Sequence, residues 1–376
     1  MASPKDVTAE TDRRLMAAAL RVGRRNLGQT APNPAVGALI VRHEGETPVV
    51  VGRGWTAVGG RPHAETEALA EAGEAARGAT AYVTLEPCSH HGQTPPCAGA
   101  LIAAGVARVV YAVDDPDPRV SGRGRAMLEE AGVAVTSGVL RDRAALDLAG
   151  HLSRVTRGRP HVILKLAVSA DGMIGRRDGE RMIITSPPAL TAVQAMRAEM
   201  DAVAVGIGTV LVDDPRLTVR LPGLAGRSPF RVIFDAAARL PLGSKLVATA
   251  REVPVAAVTG PAAVAPAKAA LAEAGVRIIE VGDGPGGVNL EAALRQLAES
   301  DVGRILVEGG SRIASTLVGA DLVDEVILFR APVVVGSDGV RALDGHALSA
   351  LERSPRYRQI EAAVIGDDQM RRYLRV

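Results

Sequence analysis

The chain has 376 residues, enough for two domains of ordinary size. Its formal net charge of +2 argues against a nucleic-acid protein, which carries a concentrated basic surface. Hydrophobic residues are 47% of it and aromatics 2%, so its cores must be built from Ala, Val, Leu and Ile.

Met1 to Arg14 is polar, with no apolar signal core, and no run of about 18 apolar residues predicts a membrane span. Asp12 to Asn26 has helical periodicity, with Leu15, Ala18, Ala19 and Val22 on one face. Ala31-Pro32-Asn33-Pro34 then breaks the chain. Strands are predicted over 35–41 and 49–54, joined by a turn around Glu44-Gly45. A helix follows over 64–76, a strand over 79–85, a helix over 97–104 and a strand over 108–113. Residues 122–131 read as helix and 133–136 as extended. The alternation predicts an α/β first domain over 1–150 with mainly parallel late strands. The polar, basic stretch 151–160 reads as a linker to a second domain, 161–376.

The second domain repeats the alternation. Strands are expected over 162–168, 202–206, 231–234, 255–259, 277–281, 304–307, 325–331 and 357–365. Helices fit between them over 189–199, 267–274, 291–299 and 313–318. A hairpin turned at Gly366-Asp367-Asp368 closes the chain. The order predicts a mixed sheet with helices on both faces.

The chemistry concentrates between Arg61 and Cys97. His63, Cys88 and Cys97 are soft metal ligands, and one imidazole with two thiolates makes a three-ligand zinc site. Such a site keeps a place for water and lowers its pKa toward ~7. Glu65 lies two residues from His63, placed to move that water's proton without ligating the metal. His-x-Glu followed by Pro-Cys…Cys is the general signature of zinc deaminases of nucleobases. Alternatives stay open. The two cysteines could form a disulfide, although two are too few for a secreted scaffold and a reducing cytoplasm is expected. His90 or His91 could close a structural zinc site. Asn33 could be a plain turn residue or an amide that reads a base.

Two glycine stretches compete for a nucleotide. Gly282-Asp283-Gly284-Pro285-Gly286-Gly287 has Gly-x-Gly-x-x-Gly spacing, with Glu308 further on as a dinucleotide fingerprint requires. Asn289, however, reads as the cap of a helix that starts after the glycines. The strand Arg304–Val307 followed by Glu308-Gly309-Gly310-Ser311 and a helix could instead form an anion cradle.

Ala31-Pro32-Asn33-Pro34-Ala35-Val36-Gly37, His63-Ala64-Glu65 and Thr84 to Cys97 together resemble the deaminase half of the bifunctional riboflavin-biosynthesis deaminase/reductases. Asp115 to Gly124 is similar to another stretch of that half, with Asp117 for the usual Asn, and Gln93 stands where a basic residue is frequent. Lys165 to Gly172, Gly206 to Arg220 and Val307 to Gly310 resemble the reductase half, so the likeness covers nearly the whole chain. It implies a cytidine-deaminase-like N-terminal domain and a dihydrofolate-reductase-like C-terminal domain that uses NADPH. The implied substrate is a phosphoribosylated pyrimidine: zinc-dependent deamination of the ring, then reduction of the ribosyl side chain to ribityl. Asn33 and His90 are implied in binding it. By matching position, Ala167, Thr209 and Asp213 face the dinucleotide, as do Gly310, Ser311, Arg312, Ile313, Ala314, Ser315 and Thr316. Arg197, Leu217, Arg220 and Glu308 are implied in substrate binding. Lys165, Asp213 and Glu308 are the candidates for polarising the sugar and supplying protons, or are structural ion-pair partners. Arg181 replaces a substrate-side Ser, Ile183 a Trp and Ala236 a Ser, so Arg181 adds a phosphate contact or marks an altered reductase activity. Two rivals remain: a nucleobase deaminase with an accessory nucleotide-binding domain, and a zinc-stabilised regulatory module. A homo-oligomer is left open; nucleic-acid and membrane partners are not expected.

Overall fold

The computed structural model describes residues 4–44, 47–89, 95–118, 120–177 and 182–376. Two compact units emerge, Met1–Gly158 and Arg159–Val376. No helix among the described residues is long and apolar enough to cross a membrane.

The first unit runs α1 (Pro4–Gly23), β1 (Gly37–Glu44), β2 (Thr47–Trp55), α2 (Ala64–Ala72), β3 (Thr80–Leu85), α3 (Cys97–Ala103), β4 (Arg108–Val113), α4 (Arg123–Glu130), β5 (Ala134–Thr136), α5 (Arg141–Asp147) and α6 (Ala149–Arg157). Its sheet has the order β2-β1-β3-β4-β5. The first two pairings are antiparallel and the last two parallel, as expected of the late strands. Strand β3 is buried along its whole length, which explains why its sequence is apolar without alternation. Glycine lets the layers approach: a Cβ on Gly54 would overlap the carbonyl of Ala64, so the start of α2 lies directly on β2. The stretch read as a linker is for the most part helix α6. Leu148, Ala149 and Ser153 bury one of its faces, and a short polar helix with so narrow a buried stripe hides in the sequence. The predicted turn at 44–45 falls partly outside the described residues.

The second unit runs β6 (His161–Val168), β7 (Met173–Arg176), α7 (Pro187–Arg197), β8 (Ala202–Gly206), α8 (Ile207–Asp213), β9 (Phe230–Phe234), α9 (Lys245–Ala248), β10 (Val255–Thr259), α10 (Ala265–Glu273), β11 (Arg277–Glu280), β12 (Asp283–Gly284), β13 (Gly287–Val288), α11 (Leu290–Glu299), β14 (Arg304–Glu308), α12 (Ser311–Gly319), β15 (Glu325–Arg330), β16 (Gly339–Arg341), α13 (Ser349–Glu352), β17 (Tyr357–Ile365) and β18 (Asp368–Arg375). Nine strands form one sheet, β11-β10-β9-β8-β14-β6-β15-β18-β17. It is parallel up to β15 and antiparallel through the closing hairpin. Alternate residues divide between two faces. Val162, Leu164, Ile305 and Val307 pack with Leu294 and Leu297 of α11 and Ile313 and Leu317 of α12. Ile163 and Leu306 pack with Ala189 and Val193 of α7. The mixed sheet covered on both faces is the expected architecture. Bidentate pairing of Arg159 with Asp324, at 2.6 and 2.8 Å, ties the start of β6 to the residue before β15.

Candidate functional sites

His63 is the residue before α2, Cys88 follows the strand end at Glu86-Pro87, and Cys97 opens α3. Their ligand atoms lie within 4.8 Å of one another. His63 Nδ1 is 3.8 Å from Cys88 Sγ and 3.4 Å from Cys97 Sγ, and the Cys97 N–H donates to Cys88 Sγ at 3.3 Å. Both cysteines are free, which removes the disulfide reading. His90 and His91, the alternative fourth ligands, fall outside the described residues, as does the substrate role expected of His90.

The charges inside this cluster fit a cation. A hydrogen bond from Cys97, together with His63, brings the Cys88 thiol down to about 4. That same bond and burial push Cys97 up. His63 is raised, chiefly by its bond to Cys88, and its buried Nε2 has no partner among the described residues. One imidazole and two sulfurs converging around a common centre, with one thiol already held as thiolate, suit zinc. Glu65, buried one turn-step into α2, is pushed up to about 7 by burial first and then by the charge of Cys88.

His63, Cys88 and Glu65 line a cavity of about 110 Å³. Asn33 is on its wall, with Nδ2 donating to Gly60 O at 2.8 Å. Four further wall residues escaped the sequence reading: Arg61, Glu86, Asp115 and His151. Buried Glu86 accepts backbone N–H bonds from Asp115, Gly122 and Arg125 at 3.3, 3.1 and 3.1 Å. It thereby holds the loop before α4 against the site. Its one sequence signal is a carboxylate placed directly after a strand that reads as buried. Asp115 Oδ1 in turn lies 3.0 Å from His151 Nε2.

The second unit has a cavity of about 640 Å³ on the α7 face of the large sheet. Lys165, Ala167, Arg197, Thr209, Asp213, Leu217, Arg220 and Glu308 all line it. Lys165 and Glu308 are register partners on β6 and β14, which explains how residues far apart in sequence meet. Arg197 reaches Glu308 through Nε at 2.5 Å and Nη2 at 2.9 Å, and donates to Thr218 O at 3.1 Å. Burial pushes the Glu308 carboxyl up, but Arg197 overcomes this and holds it below its ordinary range. Burial drives the Lys165 ammonium down against the opposing charge of Glu308. Among the described residues Lys165 forms no ion pair; its Nζ sits 5.8 Å from the centre of the Phe329 ring.

Gly310 precedes α12, and a Cβ there would lie 3.5 Å from Thr209 Oγ1. Of the α12 residues expected to face a dinucleotide, Ile313 and Ala314 have side chains buried in the core of the large sheet, where they complete its packing. Arg312, Ser315 and Thr316 keep partly exposed positions. The other glycine stretch is the β12–β13 hairpin, and Asn289 caps α11 by accepting from Ala292 N at 3.0 Å. The fingerprint reading fails because the helix begins after the glycines. That hairpin nonetheless touches α12, since a Cβ on Gly286 would press on Thr316 Oγ1 at 2.5 Å. Ile183 lines the large cavity and is exposed, whereas Arg181 falls outside the described residues.

Residues 9–113 match the family described as cytidine and deoxycytidylate deaminase zinc-binding region, and residues 160–370 match the RibD C-terminal domain. The riboflavin biosynthesis protein RibD of Escherichia coli K12 is 40% identical over 370 residues, covering 95% of this chain and 97% of that protein. RibD of Aquifex aeolicus is 36% identical, with 96% and 97% covered. Among solved structures, RibD of Acinetobacter baumannii superposes with a TM-score of 0.85 at 35% identity, covering 98% of this chain and 99% of that one. A diaminohydroxyphosphoribosylaminopyrimidine deaminase/5-amino-6-(5-phosphoribosylamino)uracil reductase of Thermotoga maritima does so with 0.83 at 32% identity, covering 98% and 100%.

Proposed function

This chain belongs to the RibD family of riboflavin-biosynthesis proteins, and from that premise we propose which of its residues carry the two reactions. It is a bifunctional enzyme, with a zinc-dependent deaminase in the first unit and an NADPH-dependent reductase in the second. The observation that carries the reading is the His63, Cys88 and Cys97 cluster, two of whose members line one cavity with buried Glu65.

In the first unit His63, Cys88 and Cys97 hold zinc. When bound, zinc supplies the Lewis acidity that makes water a nucleophile at neutral pH. Glu65 takes the water's proton and passes it to the departing amine. Burial pushes its carboxyl up, which suits a group that first accepts the proton and then donates it. Asn33, fixed by its bond to Gly60, orients the pyrimidine ring of a diamino-pyrimidinone ribosyl phosphate. His90 joins it as a substrate contact.

In the second unit Thr209, Asp213 and the Gly310–Thr316 turn cradle the dinucleotide, with Ile313 and Ala314 contributing backbone alone. When bound there, NADPH would supply the hydride for reduction of the ribosyl side chain. Lys165 is the proton donor to the sugar: a buried ammonium with a lowered pKa releases its proton readily. Glu308 holds Arg197 and, with it, fixes the substrate side of the cavity. Leu217 and Arg220 complete that side, the arginines matching a phosphate in charge and shape.

Ammonia release and NADPH absorbance are recorded together on the zinc-loaded protein with the diamino-pyrimidinone ribosyl phosphate. Ammonia followed by NADPH consumption is the expected result. Zinc bound without either signal would favour the regulatory module.

A further inference from the structure

The deaminase cavity presents a problem of charge. Its wall contains four carboxylates, from Glu65, Glu86, Asp115 and Asp117. A phosphorylated substrate brings further negative charge to it. Among the described residues, besides the zinc ligand His63, the basic side chains on that wall are Arg61 and His151. We infer that Arg61 and His151 form the phosphate-reading edge of the deaminase cavity and make the first reaction selective for a phosphorylated substrate. This rests on the reading of the first unit as a deaminase of a phosphoribosylated pyrimidine.

Three observations support the assignment. The first is depth. Three of the four carboxylates, Glu65, Glu86 and Asp115, are buried, whereas Arg61 and His151, with Asp117, are half-buried. A cavity of about 110 Å³ suits one heteroaromatic ring, so a ribose phosphate attached to that ring must leave past the half-buried side.

The second is orientation. His151 Nε2 is 3.0 Å from Asp115 Oδ1, and Asp115 is itself held, its N–H donating to Glu86 Oε2 at 3.3 Å. A ring anchored through one nitrogen presents the other to a ligand. With a phosphate oxygen on Nδ1 the imidazole would stand between two anions, each receiving a charge-assisted N–H bond. Arg61 adds a guanidinium, whose fork matches phosphate oxygens.

The third is placement in the chain. His151 lies on α6, between the two stretches that match known families, 9–113 and 160–370. The same helix is fastened beside another wall residue, Asn33, because Arg154 donates to the carbonyl of Pro32 at 3.1 Å. Helix α6 is therefore a component of the deaminase cavity.

The test measures kcat/KM for ammonia release from the phosphorylated substrate and from the same ribosylamino pyrimidine without phosphate. Wild type, Arg61→Gln, Arg61→Lys and His151→Asn are compared. The ratio of the two values should fall about 10- to 100-fold in Arg61→Gln and in His151→Asn, through KM, and recover in part in Arg61→Lys. An unchanged ratio in both Arg61→Gln and His151→Asn overturns the inference, whether or not the rates themselves drop, because a purely structural role slows both substrates alike. A wild type that releases ammonia from neither compound overturns the deaminase reading beneath it as well.

Discussion

The two cavities reach their chemistry by opposite routes. The deaminase cavity is small, about 110 Å³, and its zinc ligands and Glu65 come from one continuous stretch, 63–97. The reductase cavity is about 640 Å³ and draws Lys165, Arg197, Asp213 and Glu308 from four elements spread over more than a hundred residues. A metal demands few ligands of fixed type at short range, so its site can be written locally. A dinucleotide and a sugar phosphate demand a long surface, which only a sheet edge assembled from distant strands provides.

Metal and proton chemistry should separate the two most sharply. Glu65→Gln is expected to lower deaminase kcat by about 10²- to 10⁴-fold, the usual worth of a general acid–base. Its reductase rate on separately supplied deaminated substrate should stay at the wild-type value. Loss of both activities would mean that the cavities depend on each other. Treatment with a zinc chelator should act in the same direction, abolishing ammonia release and leaving NADPH oxidation of that substrate; atomic absorption on the treated protein checks the metal.

A second comparison concerns stability. Glu308→Ala leaves Arg197 buried without its carboxylate, a change that costs about 3–5 kcal/mol when a buried pair is broken. Urea titration should show this as a lowered midpoint, together with loss of reductase activity. A variant of full stability would show the pair to be dispensable to the fold.

The smallest effect has the opposite sign. Burial lowers the Lys165 pKa in the folded protein below its ordinary 10.5. Between that lowered value and 10.5 the unfolded chain binds more protons than the folded one, so stability rises with pH across this window. Below the window the cost of burying the ammonium is fully present. Lys165→Met should remove it, raising Tm at pH 7 by a few degrees and flattening the alkaline rise while abolishing reduction. A lowered Tm would mean that the ammonium contributes net stability where it sits.

The same contrast decides what could be read before the structure was known. Most strands of the two main sheets follow from apolar runs because they are buried on at least one face, whereas the closing pair β17 and β18 is announced by the turn at Gly366-Asp367-Asp368. Residues 63–97 carry their meaning in residue type and spacing alone. Helix α6 was hidden, since its polar sequence reads as linker until Leu148 and Ser153 are seen to be buried. Strand β7 pairs with β16 across more than 160 residues and is only half-buried, so neither local pattern nor hydrophobicity announces it. The wall residues Asp115 and His151 meet through tertiary packing, 36 residues apart, and no spacing rule predicts their bond. The glycine hairpin at 283–288 imitates a dinucleotide fingerprint because turns and phosphate loops need the same residue for different reasons.

The central claim is that two self-sufficient active sites share one chain, and mixing tests it most directly. Glu65→Gln protein and Lys165→Met protein are each given the diamino-pyrimidinone ribosyl phosphate, zinc and NADPH, separately and together. Alone, Glu65→Gln should release almost no ammonia, and Lys165→Met should release ammonia without consuming NADPH. The mixture should do both, with ammonia leading, because the product of one site diffuses to the other. A mixture that releases ammonia but leaves NADPH untouched would contradict the account.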